Sequence, residues 1–197
     1  MNDDTQAELN VKRGIYLVGF SGTGKSTTAR LIAEKQHWPA YDLDKIIVER
    51  SGMTIPLIFQ HEGEEGFRIR ETEALLAISA QGPFVIATGG GVVIRTENRQ
   101  LMARRGWIVC LEGRAETLHL RIQQHLKKAD PDAIRPMLDA ISSLDQVRSL
   151  KCSRQPFYAL ADWIIQTERL TPQQVADEVI RAADLLEHSS VEFTEPE

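Results

Sequence analysis

Short apolar runs alternate along this chain with longer stretches in which apolar residues recur at helical spacing. The runs Gly14–Val18, Ala40–Leu43, Phe84–Ala87, Trp107–Leu111 and Trp163–Gln166 are brief and rich in β-formers, so each predicts a strand. The intervening stretches Lys25–Gln36, Leu43–Ser51, Glu64–Ser79, Glu97–Arg105, Ala115–Lys128, Ser142–Leu160 and Thr171–Leu186 predict helices. In the first of these, Ala29, Leu31, Ile32 and Ala33 supply an apolar face with no Gly or Pro to interrupt it. Thr171 followed by Pro172 reads as an N-cap and a first-turn proline. Pro156 falls inside a helical stretch and predicts a kink or a restart there. Strands alternating with helices imply an α/β fold with a parallel, doubly wound sheet and right-handed crossovers.

Composition narrows the class. A chain of 197 residues with 42% hydrophobic and 26% charged residues fits one globular domain with a substantial core. Residues 1–12 are polar and expected to fray, residues 13–187 form the single domain, and the segment 188–197 is expected to be a disordered tail. The net charge of -5 argues against a general nucleic-acid binder. No apolar run approaches the roughly 18 residues of a membrane span, and the acidic start is unlike a signal peptide, so a cytoplasmic protein is expected. Cys110 and Cys152 read as reduced thiols, and the five histidines show no spacing that suits a zinc site.

One segment changes the picture. Gly19-Phe20-Ser21-Gly22-Thr23-Gly24-Lys25-Ser26 is a complete G-x-x-x-x-G-K-[ST] loop, set between a predicted strand and a predicted helix. That setting aims several backbone N–H groups and a helix N-terminus at one small volume, which attracts polyphosphate. Lys25 reaches the β- and γ-phosphates as a point charge, and the Ser26 hydroxyl is a Mg²⁺ ligand. A nucleoside triphosphate is the expected ligand.

In parallel sheets ligands collect beyond the carboxyl ends of the strands, so those positions carry the chemistry. After the second strand stands Asp42-Leu43-Asp44, where one carboxylate can face a metal and the other a second substrate. An N-cap aspartate followed by a first-turn acid is the bland alternative. After the third strand stands Thr88-Gly89-Gly90-Gly91. Three successive glycines suit a backbone that a ligand approaches closely. Arg68 with Glu71 three residues on is either a held fork for a carboxylate or a surface ion pair worth little. A polar segment, Lys127–Ala133, precedes Arg135-Pro136-Met137-Leu138 and suits either a lid or a solvated loop.

Taken in order, the motifs GFSGTGKST, YDLD, IFQHEGEEGFRIRE, TGGG, RPML and RQPFY resemble those of the shikimate kinase family, from about Gly14 to Leu186. The resemblance implies a three-layer α/β/α fold of P-loop kinase type, with a five-stranded parallel sheet in the order 2-3-1-4-5. It implies ATP-dependent phosphorylation of the 3-hydroxyl of shikimate, with Mg²⁺, in a monomer that binds neither nucleic acid nor membrane. Gly22, Thr23, Gly24, Lys25, Ser26 and Thr27 would bind the nucleotide, and Asp42 would join Ser26 at the metal. Asp44 would engage the acceptor hydroxyls, Arg68 and Arg154 its carboxylate, and Glu71 would hold Arg68. Gly89, Gly90 and Gly91 would donate backbone bonds, Arg135 would close with a lid over about 126–140, and Arg121 would stack on adenine. Substrate binding would centre on about 43–80. Leu43 replaces a residue that is usually small and polar in this family, and its side chain is expected to face away from substrate. The stretch between Arg121 and Arg135 is longer than the family norm.

Overall fold

A computed structural model describes residues 14–79, 82–127 and 143–192. Its five strands are β1 (Gly14–Val18), β2 (Ala40–Asp42), β3 (Val85–Ala87), β4 (Gly106–Glu112) and β5 (Trp163–Gln166). They form one parallel sheet in the order β2-β3-β1-β4-β5, as the resemblance implied. Among the described residues, seven α-helices connect and cover them: α1 (Lys25–Gln36), α2 (Leu43–Ser51), α3 (Ile55–Ile78), α4 (Thr96–Arg105), α5 (Ala115–Leu126), α6 (Leu144–Tyr158) and α7 (Pro172–Glu192). A 3₁₀ turn spans Val92–Ile94.

Successive residues of a strand face opposite sides of a sheet, so the central strand sorts the core into two layers. Tyr16 and Val18 face the layer built with Leu43 and Ile47 of α2, Ile58 and Leu75 of α3, Met102 of α4 and Val147 of α6. Ile15 and Leu17 face the other, with Ala29 and Ile32 of α1 and Val175, Ala176 and Val179 of α7. Every residue of β1 is buried. Each fully buried Val, Leu or Ile stabilises the fold by about 1.5–3 kcal/mol relative to exposure. Sandwiching the sheet on both faces leaves its carboxyl edge as the open rim.

Three elements differ from expectation. Helix α3 begins at Ile55, not Glu64, and is broken at Gly63, whose φ of 69° and ψ of −172° are not helical. Helix α6 continues through Pro156 to Tyr158 without the expected restart. Pro156 lies in the last turn, which is tied to the sheet rim by Gln155 and Tyr158, so one missing helical N–H is tolerated. Helix α7 continues past Leu186 to Glu192, into the segment expected to be a tail. Arg135, and all of the expected lid beyond its first two residues, lie outside the described residues, as does the expected frayed segment 1–12. No helix among the described residues is long and apolar enough to cross a membrane.

The two cysteines occupy contrasting places. Cys110 is buried in β4, and burial pushes its thiol up to about 12, with Glu112 adding to the effect. Cys152 lies exposed on α6.

Candidate active site

The phosphate loop leaves β1 at the rim and runs directly into α1. Gly19, at φ 131°, passes so close to β4 that any Cβ would collide with the Leu111 carbonyl oxygen. Gly24, at φ 99°, is the N-cap of α1, and no side chain caps that helix. Its first-turn N–H groups are therefore left to point into the loop. Lys25 is buried to 7% exposure and folds back over the loop, donating from Nζ to Gly19 O at 2.8 Å, Phe20 O at 2.7 Å and Thr23 Oγ1 at 3.4 Å. These partners are neutral, and an anionic oxygen would give the ammonium stronger, charge-assisted bonds. Gly22, Ser26 and Thr27 are exposed around the same loop, while Thr23 is buried with its hydroxyl on Phe20 O at 2.9 Å. Arg121 of α5 reaches the loop too, donating to Gly22 O at 3.2 Å.

Ser26 Oγ donates to Asp42 Oδ2 at 2.6 Å, so two oxygen donors stand together at the loop's exit. Hard oxygen donors of this kind fit Mg²⁺, which keeps several waters and takes its other ligands from substrate phosphates. Among the described residues there is no group of three or more His, Cys, Asp or Glu that could hold a metal by itself. The two aspartates diverge because β2 ends at Asp42 and α2 begins at Leu43. Leu43 goes fully into the core, whereas Asp44 is buried at 8% exposure and turns toward the glycine run after β3.

That glycine run organises the rest. A methyl group added at Gly89 would come within 2.8 Å of Glu71 Oε1 and 3.4 Å of Asp44 Oδ1. One added at Gly90 would lie 3.3 Å from Arg154 Nη1 and 3.5 Å from Gly19 O. One added at Gly91 would lie 2.5 Å from Arg68 Nη2 and 2.7 Å from Arg68 Cζ. Each glycine therefore abuts a different charged side chain, and Gly90 also abuts the phosphate loop. The structure thus brings together Asp44, Arg68, Glu71 and Arg154 from α2, α3 and α6 around the glycine run.

The two arginines are held differently. Arg68 donates to Glu71 Oε2 at 2.9 Å and to Glu64 Oε1 at 3.2 Å. Glu71 is completely buried, and burial pushes its carboxyl above the usual range, against the pull of Arg68, Arg154 and Arg95. This is no surface pair. Arg154 is equally inaccessible, at 6% exposure, with Cζ 5.9 Å from the centre of the Phe20 ring. It makes no ion pair among the described residues, and its Nε has no hydrogen-bond partner there. A buried cation with no counterion among the described residues is costly unless an anion reaches it, and an anionic ligand is one group that could.

Three further residues shape the site to which the sequence reading gave no role. Tyr158 donates its hydroxyl to Gly90 O at 2.6 Å. Asn98, fully buried, donates to Val92 O at 3.1 Å, and Arg99 donates to Val93 O at 2.6 Å while its guanidinium lies 5.0 Å from the Phe157 ring centre. Tyr158 was visible as the end of R-x-P-x-Y, one helical turn beyond Arg154. Nothing in the sequence marks Asn98 or Arg99 apart from other polar residues of a surface helix.

The family model described as shikimate kinase matches residues 21–184. Shikimate kinase of Legionella pneumophila strain Corby is 39% identical over 170 residues, covering 86% of this chain and 93% of that protein. Shikimate kinase of Symbiobacterium thermophilum is 41% identical over 168 residues, covering 84% of this chain and 93% of that protein. Among solved structures, shikimate kinase from Acinetobacter baumannii in complex with shikimate superposes with a TM-score of 0.79 at 32% identity, covering 93% of this chain and 98% of that one. A gluconokinase from Sinorhizobium meliloti, at 15% identity and a TM-score of 0.64, shares the fold.

Proposed function

This chain belongs to the shikimate kinase family and phosphorylates shikimate with ATP; within that reaction, we propose that Arg154 and Arg68 take the acceptor carboxylate while Asp44 takes the 3-hydroxyl. The observation that carries this reading is Arg154, a buried guanidinium with no acidic partner among the described residues, 3.3 Å from the Cβ position of Gly90 and beside the phosphate loop. A planar guanidinium fork matches a carboxylate bidentately, which a lysine cannot do.

Phosphoryl transfer asks for positioning and charge neutralisation more than for covalent help. Lys25 and the loop amides bind the β- and γ-phosphates. Asp44 accepts the hydrogen bond of the 3-hydroxyl and orients its oxygen in line with the γ-phosphorus. The new P–O bond forms to that oxygen as the bond to the β,γ-bridging oxygen breaks, and the hydroxyl proton leaves toward Asp44 or solvent. The amides of Gly89, Gly90 and Gly91 line the path between the two substrates. Mg²⁺, held by Ser26 and Asp42, would neutralise phosphate charge when bound. Arg121 lies against the phosphate loop and is proposed to flank the nucleotide.

A coupled ADP-release assay with shikimate, with gluconate and with no acceptor tests the assignment. Turnover is expected with shikimate alone. ADP release as fast with gluconate would overturn it.

A further inference from the structure

The hydroxyl of Tyr158 is the one polar link from α6 to the glycine run that any hydrogen bond among the described residues provides. Tyr158 is 1% exposed, and its 2.6 Å bond to Gly90 O is short even for an O–H···O contact. It stands four residues after Arg154, so both side chains leave the same face of α6. Both meet the same glycine: Tyr158 through the carbonyl oxygen, Arg154 through the space in which a Cβ would stand. On the neighbouring residue, Gln155 Nε2 donates to Glu112 Oε1 at 2.8 Å, which ties the same helical turn to the end of β4.

We propose that Tyr158 is a positioning residue for acceptor recognition, because its hydroxyl locks Gly90 to α6 and so sets the separation between the glycine run and the Arg154 guanidinium. The geometry has few alternatives. Arg154 is buried without an acidic partner among the described residues, and the Tyr158 hydroxyl is a polar group of α6 on which its guanidinium acts. The same hydroxyl holds the backbone that Arg154 faces, at Gly90 O. Burial also pushes the Tyr158 hydroxyl well above its usual range, with Arg154 opposing the shift, so it stays protonated and remains a donor across the working pH range. The alternative role for a buried tyrosine is simple core filling. Its ring does pack in the core, but core filling makes no use of the hydroxyl.

The proposal rests on the assignment of Arg154 to the acceptor carboxylate, and its test separates the two. Wild type, Tyr158→Phe, Arg154→Ala and the double variant are compared in the full chain by shikimate and ATP kinetics, with a thermal melt for each. Removing one partner of a buried hydrogen bond typically weakens a linked interaction by about tenfold. Tyr158→Phe is expected to raise the KM for shikimate about tenfold and to leave the KM for ATP within about twofold. In the Arg154→Ala background the same change is expected to add almost nothing, since residues acting through one another are not additive. A variant that melts lower yet keeps the wild-type shikimate KM would overturn the proposal, as would full additivity with Arg154→Ala. If Tyr158→Phe folds too poorly to assay, 4-fluorophenylalanine at that position fills the space of the hydroxyl but has no donor for Gly90 O. A raised shikimate KM with an unchanged ATP KM then supports the proposal, and a wild-type KM overturns it. A wild-type chain without shikimate turnover would instead defeat the functional assignment itself.

Discussion

Gly91→Ala should damage acceptor binding through space and not through backbone strain. Gly91 has φ −104° and ψ −2°, which alanine adopts freely, so the cost comes from what the new methyl group meets. It would stand 2.5 Å from Arg68 Nη2 and 2.6 Å from Nη1, where ordinary contact needs about 3.5 Å. Arg68 must therefore retreat by roughly 1 Å. A flexible arginine on the surface would do so at little cost, but this one is 6% exposed and bonded to Glu71 and Glu64. Breaking a buried pair outright costs about 3–5 kcal/mol, and a partial displacement about 1–3 kcal/mol. At this chain length, that lowers Tm by about 2–12 °C. A misplacement of about 1 Å in a substrate-positioning group can also lower catalytic efficiency by up to about 100-fold. The assay is steady-state kinetics with each substrate varied in turn, beside a thermal melt. The expected result is a fall of about 10- to 100-fold in kcat/KM for shikimate with the KM for ATP near wild type. Gly24→Ala is the contrasting control, because space there is open but φ is 99°, and its penalty should fall on ATP. An alanine at 91 that leaves both shikimate kinetics and Tm unchanged would refute the reasoning.

Further outcomes follow from the same geometry. Arg154→Ala should weaken shikimate binding by about 2–5 kcal/mol and Arg154→Lys by nearly as much, with ATP binding to the apo enzyme preserved; calorimetry that shows lost ATP binding and normal shikimate affinity would reverse the roles. Asp44→Asn should lower turnover while Mg·ATP still binds, and Asp42→Asn should raise the Mg²⁺ requirement; rescue of Asp44→Asn alone by excess Mg²⁺ would mean the pair is inverted. Burial raises the Glu71 carboxyl above its ordinary range, so the folded chain binds that proton more tightly than the unfolded chain. Its contribution to stability is thus full below the unfolded pKa of about 4.3 and is lost as pH rises through the folded value. Melts across that range should show Glu71→Gln gaining on wild type with rising pH, and a constant gap would count against the shift.

The alternation of strands and helices, the phosphate loop and the glycine run were legible because they rest on local signals with strong physical causes, whereas the sheet order and the grouping of the site residues came from the resemblance of the ordered motifs. A phosphate loop needs its glycines and lysine adjacent, and Gly89–Gly91 read as a backbone that something approaches closely. The structure shows what approaches: Glu71, Asp44, Arg154 and Arg68, each from a distant part of the chain. Arg68 and Glu71 could not be told from a surface pair by sequence, because burial is a tertiary property that their i,i+3 spacing does not encode. The first half of α3 was missed although Thr54 and Pro56 mark a helix start, because Gly63 interrupts the apolar spacing that would have joined Ile55 and Ile58 to the rest. Pro156 misled in the opposite direction: a proline weakens a helix interior, but in a final turn fastened by Tyr158 and Gln155 the tertiary bonds decide.

The contrast between the two thiols makes this chain its own reporter. Alkylating and fluorescent reagents attack the thiolate, and Cys110 is buried with its thiol raised to about 12, so at neutral pH it is closed to them. Cys152 is exposed and, with Cys110 silent, gives the native sequence a single point of conjugation. It sits two residues before Arg154, about 200° away around the helix, so a dye there would ride on α6 without entering the acceptor pocket. Occupancy of that pocket could then be followed optically in the unmutated protein, in real time and without turnover.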